Sequence, residues 1–217
     1  MTNPKLYGYF RSSSSYRCRI AFNLKGMAYD FEPVHLKSGA QKSAEFTALN
    51  PQQLLPVLVT PDGAHLTQSL AILEWLDEYQ PDPPLLPADI TLRALERGFA
   101  QVIACEIHPL QNLRVLAYLR AELSASENQV SDWLNRWLTQ GLTTCEALLA
   151  KRATQTPFCF GQTPGLADIC LVPQIFSAHR FGVDISHLKR LNEIYQRCEQ
   201  IAAFADAHPS NQPDHEA

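Results

Sequence analysis

At 217 residues and 24.3 kDa, the chain is long for one small domain and short for a large multidomain enzyme. A composition of 46% hydrophobic and 18% charged residues is that of a globular protein and argues against wholesale disorder, and a net charge of −4 disfavours a strongly basic nucleic-acid binder. With no apolar run long enough to span a membrane, no leader pattern in Met1–Leu6 and six scattered cysteines lacking any C-x-x-C pair, the expectation is a soluble cytoplasmic protein whose cysteines act as small buried hydrophobes.

Lys5–Phe10 reads as a short strand, and Ser15–Lys25 as a helix with Tyr16, Ile20 and Leu24 on one face and Gly26 as its stop. Tyr29–Leu36 alternates like a strand, and Ser43–Leu49 suits a short helix. Val57–Thr60 and Ala64–Leu66 flank Pro61-Asp62-Gly63, a strong hairpin signal. Gln68–Tyr79 then sets Ile72, Leu73, Leu76 and Tyr79 on one helical stripe. The order β-α-β-α-β-β-α over residues 1–80 describes a small α/β layer domain.

The Pro-rich stretch around Gln80–Pro84 and Pro87 predicts a stiff linker over 81–89. Residues 90–217 carry only helical spacing: Leu92 to Leu110, Val130 to Leu148, Leu166–Arg180 and Ser186–Phe204. The tail Ala207–Ala217, poor in apolar residues, is expected to be loosely held.

Few residues invite chemistry. Ser12-Ser13-Ser14-Ser15 follows a strand and opens a helix, where hydroxyls and free N–H groups favour an anion or a thiolate; Arg11 and Arg17 flank it. The plainer reading is one capping serine and a solvated loop. Leu55-Pro56 begins a strand, as proline ordinarily does; a cis bond would instead turn the Leu55 backbone outward toward an extended peptide. Gln68-Ser69 opens a helix, so Ser69 caps it or holds a ligand carboxylate. His108-Pro109 interrupts a helical pattern and either serves packing or re-aims His108, Asn112 and Arg114 toward a cleft. Arg180 complements a helix dipole, and Asp168 reads as a structural capping box with Gly165 at the cap. Elbow, zincin, P-loop and dinucleotide motifs are missing, and the Cys/His spacing offers no metal site.

Together these segments resemble the zeta class of the glutathione transferases, the maleylacetoacetate and maleylpyruvate isomerases. The carrying stretches are Tyr9–Arg17, Ala48–Pro56, Gln68–Ile72, Leu85–Pro87, His108–Asn112, Ala167-Asp168 and Leu171–Gln174. The resemblance implies an α/β thioredoxin-like N-terminal domain, an all-helical C-terminal domain, glutathione as cofactor and a homodimer. By the same match, Ser12 is the leading group to orient the glutathione sulfur, with Ser14 second and Ser13 beside them. Leu55-Pro56 pairs with the cysteinyl unit, and Gln68 and Ser69 hold the γ-glutamyl end. His108 and Asn112 complete the glutathione positions, while Arg11, Arg114 and Arg180 match arginines that grip substrate carboxylates. Ser14 stands where a maleylacetoacetate isomerase usually has cysteine, and Gln53–Pro56 and Cys105–Pro109 look more like the maleylpyruvate branch.

The implied activity is glutathione-dependent cis–trans isomerisation of a small dicarboxylic enone. The alternatives are a transferase that conjugates or dehalogenates small electrophiles, and a binding protein that keeps the fold without catalysis.

Overall fold

A computed structural model describes residues 2–216, which fall into two compact units divided after Leu85. In the first, β1 (Lys5–Gly8), β2 (Asp30–Pro33), β3 (Val57–Val59) and β4 (His65–Thr67) form one sheet in the order β2-β1-β3-β4. β1 and β2 are parallel and the other pairs antiparallel; Leu6 faces Phe31 on one side and Leu58 on the other. Parallel neighbours need a crossover, and α1 (Ser13–Leu24) supplies it. α1 starts two residues before the expected Ser15 because Ser12, in extended backbone, caps it: its side chain accepts from Ser15 N–H at 3.2 Å. β2 is shorter than expected, and two 3₁₀ turns (Leu36–Ser38 and Ala40–Lys42) lead to α2 (Ala44–Leu49), capped by Ser43.

α3 (Ser69–Tyr79) follows the hairpin and lies on α1. Leu6, Ile20, Phe22, Leu58, Ile72 and Leu76 are all fully enclosed, each worth about 1.5–3 kcal/mol relative to exposure. Gly8 permits close approach, since a Cβ there would sit 2.8 Å from Phe31 Cε2 and 3.3 Å from Ser15. The Pro-rich stretch is tied to this core: buried Lys25 pairs with Asp77 at 2.6 Å and donates to Pro83 O at 2.6 Å, while Asp77 also accepts from Leu85 N–H. The element order and the fold are those of a thioredoxin-like domain.

The second unit is helical. α4 (Ile90–Gln101), capped by Asp89, runs into a π-helical turn at Val102–Ile107 and a 3₁₀ turn at His108–Gln111. Pro109 has no N–H for a continuing α-helix, so the expected single helix gives way to widened and then tightened turns. α5 (Leu113–Ala121), absent from the sequence reading, starts afresh on an Asn112 cap. α6 (Glu127–Ala150), with a Ser126/Gln129 capping box, meets Ile107 at Gly141, where a Cβ would collide with that side chain.

α7 (Leu166–Arg180) is almost wholly enclosed. Asp168 accepts from Gly165 N–H and Cys159 N–H, both at 2.9 Å, and burial raises its carboxyl above the usual range. Glu96 of α4 accepts from Ala167 N–H at 3.1 Å, and Gln111 and Gln174 exchange amide hydrogen bonds. Ser186–Phe204 is not one helix: α8 (Lys189–Glu199) ends before a break at Gln200-Ile201, and α9 (Ala202–Ala207) follows.

Residues from Glu199 onward belong to the first unit rather than the second. α9 packs on α1, and Asn23 donates to Ala203 O at 2.9 Å. The tail is not loosely held: Pro209 is buried, Asp214 accepts from Phe10 N–H at 2.9 Å, and Glu216 pairs with His35 and Lys37. Ala217, at the end of that expected segment, lies outside the described residues. Among the described residues no helix is long and apolar enough to cross a membrane. All six cysteines are free and five are buried; Cys105, expected to be enclosed like the rest, is exposed on the π-helical turn.

Candidate active site

The turn from β1 into α1 concentrates polar groups. Ser12 Oγ accepts from Ser15 N–H and lies 3.1 Å from Ser14 Oγ, whose hydroxyl also reaches Leu55 O at 3.1 Å. One hydrogen per hydroxyl fixes the roles: Ser14 donates its own to Leu55 O, so Ser12 donates to Ser14, and a ligand acceptor would draw the Ser12 hydrogen away from Ser14. The first-turn N–H groups of a 12-residue helix converge beside it, with partial positive charge. Ser13 is buried at the first helical position. The Ser15 hydroxyl is fully enclosed without a partner, as is the phenol of Tyr9. Burial, then the charge of Glu216, pushes the Tyr9 pKa up, so it remains a neutral hydroxyl. Arg11 is half-buried, its guanidinium 5.0 Å from the Phe10 ring centroid.

The Leu55-Pro56 bond is cis. The loop before it is organised by Asn50, a buried residue that sequence reasoning did not single out: it donates to Leu54 O at 2.7 Å and accepts from Gln52 N–H at 3.0 Å. Gln53 adopts a positive φ of 56° and Gln68 one of 68°, costly for non-glycine residues by roughly 1–3 kcal/mol. Gln68 donates to Gln52 Oε1 at 3.0 Å, which joins this loop to the start of α3.

Ser69 is not the cap of α3. Gln68 holds the cap position without a side-chain hydrogen bond, and Ser69 is the first helical residue. Its hydroxyl accepts instead from Arg17 Nη1 at 3.2 Å, so its own hydrogen is available to another acceptor. Arg17, read only as a flank to the serines, is 1% exposed, and its Nε and Nη2 have no hydrogen-bond partner. Arg19 is buried two residues on and donates to Ala207 O, Tyr9 O and Phe10 O at 3.1, 3.4 and 3.0 Å. Desolvation lowers its pKa to about 10, which still leaves it charged at neutral pH.

The first unit thus brings together Ser12, Ser14 and Leu55 as one group, and Ser69 with Arg17 as another. Arg11, Ser13, Pro56 and Gln68 also lie in the first unit, whereas His108, Asn112, Arg114 and Arg180 belong to the second. His108 opens the 3₁₀ turn, Asn112 caps α5 by accepting from Arg114 N–H at 3.1 Å, and Arg114 is exposed on the first turn of α5. Arg180 ends α7, exposed, with its guanidinium 4.1 Å from the Phe181 ring centroid. Among the described residues no group of three or more His, Cys, Asp or Glu is placed to hold a metal ion.

These elements have close counterparts. Residues 11–79 match the glutathione S-transferase N-terminal domain. The chain is 45% identical over 211 residues to the maleylpyruvate isomerase of a Ralstonia species, covering 97% of this chain and 99% of that one. It superposes with a TM-score of 0.95 on the holo structure of a maleylpyruvate isomerase described as a bacterial zeta-class glutathione S-transferase, at 43% identity over 98% of this chain and all of the other. The maleylacetoacetate isomerase of Methylobacterium extorquens AM1, solved with bound malonate and glutathione, matches with the same TM-score at 38% identity, covering 98% of this chain and all of that one. A serine loop opening α1, a thioredoxin-like sheet, a following helical unit and full-length identity of this order place the chain in the zeta class of the glutathione transferase family, among the maleylacetoacetate and maleylpyruvate isomerases.

Proposed function

We propose that this protein is a glutathione-dependent cis–trans isomerase that converts a maleyl keto acid to its fumaryl isomer in aromatic catabolism. The observation that carries the reading is the convergence of Ser12, Ser14 and the Leu55 backbone at the N-terminus of α1. That arrangement offers a rotatable hydroxyl and helix N–H groups to a thiolate, beside a backbone segment able to pair with an extended peptide.

The residues suit glutathione. The α3 N-terminus has no side-chain cap, and the Ser69 hydroxyl retains a hydrogen to donate, both of which favour a carboxylate. Gln68 and Ser69 would hold the γ-glutamyl end and Leu55-Pro56 the cysteinyl unit, with Ser13, His108 and Asn112 as further contacts. When bound, glutathione supplies a thiolate that adds to the conjugated double bond and is later expelled, so that the bond turns as a single bond in between.

The chain's own part is electrostatic. Ser12 donates its hydroxyl hydrogen to the sulfur while still accepting from Ser15 N–H, which keeps the hydroxyl aimed. Ser14 holds the Leu55 loop against the serine turn, and its oxygen accepts the Ser12 hydrogen until the sulfur takes it. Arg11, Arg114 and Arg180 would bind the substrate's carboxylates, as planar bidentate donors. The relatives carry both isomerase names, and the sequence features of Gln53–Pro56 and Cys105–Pro109 lean toward maleylpyruvate. We also infer a cytoplasmic homodimer, in keeping with six free cysteines; light scattering on the eluting protein measures the mass.

The test is turnover of maleylpyruvate and maleylacetoacetate by purified protein, with and without glutathione, followed by absorbance and NMR. Fumaryl product that forms only with glutathione, while free thiol stays constant, is the expected result. Loss of thiol into a conjugate would instead make the protein a conjugating transferase. Arg11→Ala and Arg180→Ala raise KM for the diacids far more than for a neutral thiol acceptor; equal losses on both contradict the carboxylate role.

A further inference from the structure

α1 carries two buried arginines, and only one is accounted for. Every nitrogen of the Arg19 guanidinium has a backbone carbonyl. Arg17, equally enclosed, has Nη1 on Ser69 Oγ, and Nε and Nη2 on nothing. Among the described residues it has no carboxylate partner either. A desolvated, uncompensated charge is costly, and buried polar groups are normally paired. What sits beside it is the N-terminus of an 11-residue helix with no side-chain cap, entered through Gln68 at a φ of 68°. A buried cation, a free helix start and a serine hydroxyl that accepts from one side and can donate on the other form one anion-seeking arrangement.

We propose that Arg17 is a positioning residue for the α-carboxylate of glutathione's γ-glutamyl end. This rests on the reading of Gln68 and Ser69 as the seat of that end. By donating Nη1 to Ser69 Oγ, Arg17 commits the oxygen as an acceptor and leaves the Ser69 hydrogen for the carboxylate. Its fixed charge is balanced when that carboxylate arrives. Arg17 does not touch the sulfur, so it sets the affinity for glutathione and the preference for ligands with a carboxylate there, not the chemical step.

The experiment compares the wild-type protein, Arg17→Met and Arg17→Lys by calorimetric titration with two ligands, glutathione and its analogue with γ-aminobutyrate in place of the γ-glutamyl residue, which lacks only that carboxylate. Arg17→Met is expected to weaken glutathione binding about tenfold or more and leave the analogue's affinity within about twofold, with kcat at saturating glutathione unchanged. Arg17→Lys restores part of the preference because it returns the charge without the fork. It also stands in for the Met variant if that one does not fold, in which case its preference falling below wild type is the expected result. A wild-type protein that binds both ligands equally would overturn the carboxylate seat at Ser69, and the proposal with it. A discriminating wild type whose Arg17 variants lose both ligands equally, or lose kcat, would overturn the role of Arg17 alone.

Discussion

Arg17 and Arg19 are two residues apart on the same helix, are buried to the same degree, and have opposite surroundings. Around Arg19 the polar groups form a closed circuit: three nitrogens, three carbonyls, and through Ala207 a clasp on α9. Around Arg17 and the serine turn the circuit is open, with Arg17 Nε and Nη2, Ser15 Oγ and Tyr9 OH all enclosed and unpartnered. The second unit's interior helix α7 follows the first pattern, Asp168 answering two N–H groups and Gln174 a matching amide. Closed circuits maintain the fold. An open one beside a helix start, as at Arg17 and the head of α3, is what a binding site retains until its ligand completes it.

Substitutions at these positions separate the two kinds of surroundings. Arg19→Met strands three buried carbonyls and is expected to cost about 3 kcal/mol or more, read as a fall in Tm of roughly 10 °C. Arg17→Met, which removes a charge that has no partner, is expected to cost less than about 1 kcal/mol; equal losses from both would dissolve the distinction. Ser12→Ala lowers kcat/KM for isomerisation about 100-fold while costing only about 1 kcal/mol of stability through the lost cap. Ser14→Ala, whose hydroxyl serves the Leu55 carbonyl, loses less than Ser12→Ala in the same assay. Asp168→Ala costs about 2 kcal/mol, measured in urea, and leaves the affinity for glutathione unchanged.

The smallest effect belongs to the tail. Hydrogen bonds from Lys37 and then His35 hold the Glu216 carboxyl at a pKa of about 2. A depressed carboxyl pKa favours the folded contact fully above the ordinary carboxylate range, and that support is lost as pH falls through about 2. The protection of amides in residues 208–216, taken relative to the intrinsic exchange rate at each pH, should therefore fall as pH drops from about 4.5 to about 2. Glu216→Gln should remove the pH dependence.

The sequence disclosed much of the scaffold through local signals. Pro61-Asp62-Gly63 marked the hairpin, alternating and helical spacings marked the layers, and the serine run marked the helix start that matters. Its failures are long-range. The tail looked unattached because its anchors are polar and distant: Asp214 on Phe10 and Glu216 on His35 leave no local apolar pattern. The break at Gln200-Ile201 has no Gly or Pro, so helical spacing ran straight through it. Cys105 turned outward where Pro109 forced the π-helical turn, which periodicity cannot foresee. In the site, Ser12, Leu55-Pro56 and Gln68-Ser69 were legible as motifs. Arg17 and Asn50 were not, since nothing in a residue's type reveals that it will be enclosed beside Ser69 or hold a loop from beneath.

On the proposed function, the serine turn at the head of α1 stabilises a thiolate. The most direct measurement is the ultraviolet thiolate absorbance of glutathione bound to the protein, titrated with pH for the wild type and Ser12→Ala. The account predicts a bound thiol titrating at least one pH unit below the free value of about 8.5, with most of that shift lost in the variant. A bound thiol that titrates like free glutathione, or a shift that survives in Ser12→Ala, would contradict it.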